Sequence, residues 1–238
     1  MSTKKFTIKL IKEILLTFFP EHCLGCSKIL EPEEIGFCNN CFNSLTYVNM
    51  SNVCPICFSQ KAKKNANIHH DCLIGTALDR NISLLPFQDS TQKLIHEVKY
   101  YFRKRLLNAF LNKITHFELY SEKPDVIIPV PLHKSRLRWR EFNQSAVIAE
   151  RISKITHIPY QDDLLVREKD TPPQSQLEHG ERKANVENAF SVVDSKKVPE
   201  TVMLVDDVMT TGNTLIACAE VFKKSGAKRV ISYTLIRA

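Results

Sequence analysis

The 238-residue chain has no apolar run long enough to cross a bilayer, which excludes an integral membrane span. It also lacks an export signal. The N-terminal stretch KKFTIKLIKEILLTFF is interrupted by Lys9, Lys12 and Glu13, and no small-residue cleavage site follows it, so a cytoplasmic chain is expected. Phe6, Leu10, Ile14 and Phe18 recur every four positions there, the pattern of an amphipathic helix that packs on a domain or meets a partner or membrane surface. Without export, the eight cysteines point to metal ligands rather than disulfides.

Hydrophobic residues make up 43% of the chain, enough for an ordinary globular core. The formal net charge is +7, unevenly spread. Residues 81–160 carry 13 basic against 7 acidic side chains, whereas residues 161–238 carry 11 against 12. A basic middle third attracts anions, from a polyphosphate to a nucleic-acid backbone, unless it is only a solvated face.

The cysteines are duplicated. Cys23, Cys26, Cys38 and Cys41 read C-x2-C-x11-C-x2-C, and thirty-one residues on, Cys54, Cys57, His69 and Cys72 repeat that spacing with one histidine. Two thiolates separated by two residues in a tight turn reach one zinc ion, and a second such knuckle closes the tetrahedron. Four protein ligands leave no open position, so one or two structural zinc ions are expected. Ribbons this short bury little apolar area and need the metal to fold. Cys218 falls outside the pattern, in a predicted helix, as a buried core thiol.

Beyond residue 78 the pattern alternates. Strands are expected at 82–88, 124–132, 164–166 and 201–206 and in KRVISYTLIRA at the end. Helices are expected from 91 towards 117, over 143–155 and over 213–226, the last closed by Gly226. Residues 167–190 read as a polar loop or partly helical flap. The expected fold class is α/β: an N-terminal helix and double zinc-ribbon module over 1–78, then a domain with a mostly parallel sheet over 79–238. The runs at 126–130 and 202–205 suit central strands covered on both faces.

The segment VMLVDDVMTTGNT, residues 202–214, carries the chemistry. Four apolar residues lead to Asp206 and Asp207 at the carboxyl end of a strand, where parallel sheets bind ligands. Val208, Met209, Thr210, Thr211, Gly212, Asn213 and Thr214 then turn into a helix. Hydroxyls and free backbone N–H groups there suit a phosphate, and Gly212 permits positive φ or close approach. Adjacent carboxylates accept from two vicinal hydroxyls, directly or through a cation. A sugar phosphate fits both parts.

This segment resembles the phosphoribosyl pyrophosphate (PRPP) motif of type I phosphoribosyltransferases. With PVPLHKSRLRWREFNQS, Arg167 followed by TPPQ, ERKANVENAF and the cysteine ribbons, the chain resembles the ComF family from about residue 15 onward. That family joins a zinc ribbon to a phosphoribosyltransferase-like domain and is associated with natural competence. One departure is His69, where the family usually has cysteine. The resemblance makes Pro129, Val130, Pro131 and Leu132 the pyrophosphate-contacting turn. It makes Lys134, Arg136, Arg138 and Arg140 a mobile basic arm over the phosphates, suited to bidentate guanidinium contacts. Trp139 within the arm stacks on a base or anchors the arm by packing. Arg167, Gln174, Arg182 and Asn185 are further candidates for ligand contact.

The resemblance implies PRPP with Mg²⁺ as ligand, and single-stranded DNA and competence-machinery proteins as partners, during DNA uptake in natural transformation. Two alternatives stand beside it. One is an active Mg²⁺-dependent enzyme that displaces pyrophosphate from ribose with a nucleobase or other small acceptor, with Asp206 and Asp207 as catalytic residues. The other is a PRPP-sensing adaptor that docks through its ribbons. The chain lacks an N-terminal catalytic cysteine, which argues against an amidotransferase.

Overall fold

Short runs of branched apolar residues build a parallel sheet from strands β1 (Arg80–Pro86), β2 (Val126–Pro129), β5 (Thr201–Met209) and β6 (Arg229–Arg237), in the order β1-β6-β5-β2. This computed structural model describes residues 20–48, 76–114, 122–170 and 188–238. The N-terminal helix, the second quartet of Cys54, Cys57, His69 and Cys72, and Gln174, Arg182 and Asn185 lie outside the described residues.

The two central strands explain their own composition. Val202 through Val205 on β5 are fully buried, as are Val230, Ile231, Leu235 and Ile236 on β6. Both faces are covered, so the apolar run is continuous rather than alternating. Each such side chain contributes roughly 1.5–3 kcal/mol relative to exposure. A polar ladder runs along the β1–β6 seam. Asn81 sits opposite Ser232, and Ser83 opposite Thr234. Asn81 donates to Ser83 Oγ at 3.1 Å, Ser232 donates to Asn81 Oδ1 at 2.6 Å, and Ser83 and Thr234 share a hydroxyl–hydroxyl bond. At the start of β1 and β6, beside Asn81, the buried Glu122 carboxylate bridges Arg80 and Arg229.

The helices α4 (Lys134–Arg140), α5 (Gln144–Thr156) and α6 (Asn213–Lys224) follow β2 and β5. Asn143 caps α5 by accepting from Ser145 N, and Val147, Ile148, Ala149 and Ile152 form its buried face. Leu215, Cys218, Ala219 and Phe222 do the same for α6, at the i, i+3, i+4, i+7 spacing of one helical face. The helix stops at Lys224, with Gly226 at φ 106°. Cys218 is fully buried, and burial pushes its thiol well up, so it stays a core thiol. A short antiparallel pair, β3 (Leu165–Arg167) and β4 (Phe190–Val192), stands apart from the sheet.

The chain divides into two compact units, each with its own interior. One contains the sheet and α4–α6. The other joins the ribbon to residues 88–114, which form α2 (Asp89–Tyr100) and α3 (Lys104–Lys113). The two units interleave along the chain: β1 enters the sheet before the chain returns to the ribbon's unit. There Phe110 of α3 meets the rings of Phe37 and Phe42 at 5.6 and 5.5 Å. The helical stretch expected from 91 towards 117 is broken at residues 101–103, where Phe102 adopts φ 54°.

Candidate functional site

The first cysteine quartet is assembled. The Sγ atoms of Cys23, Cys26, Cys38 and Cys41 all lie within 4.8 Å of one another, and Cys26 and Cys38 are 3.9 Å apart. Thiolates about 2.3 Å from a zinc ion at tetrahedral angles would sit about 3.8 Å apart, so the quartet fits that metal. The knuckles aim backbone donors at sulfur. Gly25 N and Cys38 N donate to Cys23 Sγ at 3.4 and 3.3 Å, and Cys41 N donates to Cys38 Sγ at 3.5 Å, where Cys38 also caps α1 (Asn39–Asn43).

Burial pushes the Cys23 thiol up. The N–H groups of Cys38, Cys26 and Gly25 outweigh that and draw it down to about 6. Cys41, hydrogen-bonded to the Cys38 sulfur and half-buried, is pushed up to about 12. Four sulfurs this close share protons, and only a bound cation lets all four ionise. A β-carbon on Gly25 would lie 2.9 Å from Cys41 Sγ, so the turn tolerates no side chain there.

The second candidate region lies at the carboxyl end of β5. The strand continues through both acids to Met209, three residues past the expected end. Asp206 pairs across the ladder with Thr234 and is half-buried, while Asp207 is buried. Asp206 Oδ1 accepts from Ser145 Oγ at 2.8 Å and from Asp207 N at 2.9 Å. Thr210 to Gly212 then turn the chain. Gly212 takes φ 80° at the N-cap of α6 and offers no side-chain cap, so the first N–H groups of a twelve-residue helix face the turn. Thr211 Oγ1 is buried without a hydrogen-bond partner among the described residues. A buried hydroxyl beside an uncapped helix start suits an oxyanion.

The turn Pro129–Leu132 joins this region. Val130 N donates to Val205 O at 2.8 Å, one residue before Asp206, and Asn143 Nδ2 donates to Val130 O at 3.0 Å. The residues expected in a mobile arm form helix α4, with Lys134, Arg136, Arg138 and Arg140 on seven consecutive positions. Arg140 donates to Gln144 Oε1 at 3.2 Å. Trp139 is 56% exposed, so it is not a buried anchor. Arg167 lies near Asp206 and Asp170 and stacks on the Phe190 ring at 5.3 Å. Burial pulls its guanidinium down, and the neighbouring negative groups pull it back.

Asp170 ties the start of α4 to the strand pair. Its carboxylate accepts from Ser135 Oγ at 2.6 Å and lies 3.4 Å from His133 Nδ1. The Ser135 hydrogen bond and the His133, Arg136 and Arg167 charges hold its carboxyl below the usual aspartate value. A depressed folded value stabilises above the unfolded value and is lost as pH falls through the folded one. Ser135→Ala is therefore expected to return the Asp170 titration toward the ordinary range, as read by carboxyl NMR.

Two contributors have no local signature. Ser145 reaches Asp206 across 61 residues of sequence. Arg237 Nη1 donates to the carbonyls of Met209 and Thr210 and holds the turn from behind.

The phosphoribosyl transferase domain family matches residues 104–238, and the double zinc ribbon domain family matches residues 14–73. The chain is 30% identical to competence protein F of Haemophilus influenzae, over 91% of this chain and 90% of that one. It is 28% identical to competence protein ComFC of Bacillus subtilis, over 88% and 87%. It is 25% identical to DNA utilization protein YhgH of Escherichia coli K12, over 92% and 97%.

Proposed function

Since the chain belongs to the ComF family of competence-protein homologues, in which zinc ribbons precede a phosphoribosyltransferase domain, we propose that it binds PRPP with Mg²⁺ at the end of β5 and handles single-stranded DNA during uptake. The observation that carries the first half is the buried Thr211 hydroxyl, unpartnered among the described residues, beside the start of α6, which has no side-chain cap, next to two acids. On this reading the ribose phosphate lies on residues 210–214. The hydroxyls of Thr210, Thr211 and Thr214 and the first N–H groups of α6 donate to it. Asp206 and Asp207 accept from the ribose hydroxyls, with Ser145 fixing which Asp206 oxygen turns inward. The Pro129–Leu132 turn and the cations of α4 meet the pyrophosphate. Two adjacent carboxylates are hard oxygen donors that suit magnesium, which when bound would neutralise pyrophosphate charge.

The test is calorimetric titration of PRPP, with and without Mg²⁺, into the wild type and an Asp206→Asn/Asp207→Asn variant. Charge-assisted hydrogen bonds contribute roughly 1.5–3 kcal/mol each, so losing two is expected to weaken binding at least about 100-fold. Equal binding by the variant, or none by the zinc-loaded wild type, overturns the reading.

The DNA half is supported by the names of the relatives, two competence proteins and a DNA utilization protein, and by the basic middle third. No helix among the described residues is long and apolar enough to cross a membrane. A second reading, phosphoribosyl transfer to a small acceptor, is favoured by the domain match alone. Pyrophosphate release that requires one particular base would establish it.

A further inference from the structure

The break between α2 and α3 is built from rings and cations. The sequence there is KYYFRKR, residues 99–105. Tyr100 ends α2 and Tyr101 is its C-cap, and they are 45% and 62% exposed. His96, one turn back, places its ring 4.9 Å from Tyr100 and 5.7 Å from Tyr101, so three rings cluster at one surface point. Lys104 and Arg105 follow at once, both exposed, and Lys99 precedes.

The turn beneath is pinned. Arg103 donates to Glu97 at 3.1 Å and to Glu21 at 2.9 Å, and the Tyr101 and Arg103 amides both donate to the Glu97 carbonyl. Leu94, Ile95 and Val98 bury the opposite face of α2, so the tyrosines are not needed for the core. Large exposed aromatics on a rigid turn lose little conformational freedom when they bind. Sequence-tolerant single-strand sites combine such rings with lysine and arginine.

We propose that His96, Tyr100 and Tyr101, with Lys99, Lys104 and Arg105, form a stacking platform for single-stranded nucleic acid on the ribbon's unit. It belongs to a different compact unit from the PRPP motif. Bases stack on the tyrosines, and phosphates meet the cations. This rests on the reading that the protein handles single-stranded DNA.

The test is fluorescence anisotropy with a labelled oligo-dT of about 30 nucleotides and the zinc-loaded full chain. Tyr100→Ala/Tyr101→Ala is expected to lower affinity about tenfold or more, with zinc content and thermal unfolding unchanged. Tyr100→Phe/Tyr101→Phe keeps the rings and is expected to bind like wild type. Lys104→Ala/Arg105→Ala should flatten the salt dependence by about 0.7 in logarithmic slope for each phosphate no longer neutralised. Wild type that binds the oligonucleotide while the double-alanine variant binds equally well overturns the platform alone. A duplex of equal length binding as tightly as the single strand also overturns it, because phosphates would then suffice. Wild type that takes PRPP but no DNA ends the DNA reading and the platform together.

Discussion

Removing zinc with a strong chelator will unfold the ribbon of residues 20–46. The described core around the quartet is small: Cys23, Leu30 and Cys38, with Cys41 against them. Structural zinc in isolated fingers supplies an apparent free energy of about 10–16 kcal/mol near neutral pH, far more than so few apolar contacts. Once the cation leaves, four sulfurs within 4.8 Å cannot all remain ionised, and the metal–sulfur bonds that tied the two knuckles to one centre are gone. Cys38→Ser is expected to have the same effect without a chelator. The substitution removes one thiolate ligand while keeping the backbone N–H that donates to Cys23 Sγ and a side-chain oxygen able to cap α1, so its effect reads the metal alone. Zinc content measured together with the reactivity of the buried thiols, Cys23 and Cys38 in the chelated wild type and Cys23 in the variant, provides the check. A chelated protein that keeps those thiols protected would refute the structural role of the metal.

Gly36→Ala is expected to cost about 2–5 kcal/mol. Gly36 sits at φ 74°, where an alanine pays about 1–2 kcal/mol. Its β-carbon would also clash with Leu106 Cδ1. Leu106 is 1% exposed and faces the Phe37 region from α3, so it has nowhere to retreat, and overpacking adds about 1–3 kcal/mol. Denaturant unfolding with the zinc-loaded protein reads this directly. Leu106→Ala in the same background relieves the clash but not the φ strain. A partial recovery beyond the cost of the cavity itself would separate the two terms. An unchanged midpoint in Gly36→Ala would sink the argument.

The cysteine repeat was legible because two-residue spacing is itself the geometry of a metal knuckle, and Cys23, Cys26, Cys38 and Cys41 converge as the pattern requires. The strand–turn–helix around Asp206 was legible for the same reason: the change from apolar to polar marks a strand end, and Gly212 does take positive φ. The expected end of β5 falls short because the change to polar residues does not end the strand there. The ladder carries Asp206 opposite Thr234 and Val208 opposite Ile236 regardless. The α2–α3 break was hidden, since Phe102 takes a left-handed conformation without glycine or proline to announce it. An amphipathic pattern says that Leu106, Leu107, Phe110 and Leu111 are buried, not against what, so the partnership of α3 with the ribbon was invisible. Ser145 and Arg237 act on the 206–210 region across the fold, and no local spacing encodes such reach.

The place of β6 in the sheet sets an order of events during synthesis. It is the latest strand in the sequence, yet it lies between β1 and β5. A chain emerging from the ribosome can therefore close its first zinc knuckles long before β1 has any neighbour to pair with. Until residues 229–237 appear, β1 waits with an unpaired edge, and the Asn81–Ser232 and Ser83–Thr234 hydrogen bonds across 151 residues do not exist. Such long-range pairing is slow and leaves strand edges open to other chains. Until β6 is made, the nascent chain is thus open to aggregation along β1, with the first cysteine quartet already synthesised and β5, which carries Asp206 and Asp207, able to pair only with β2.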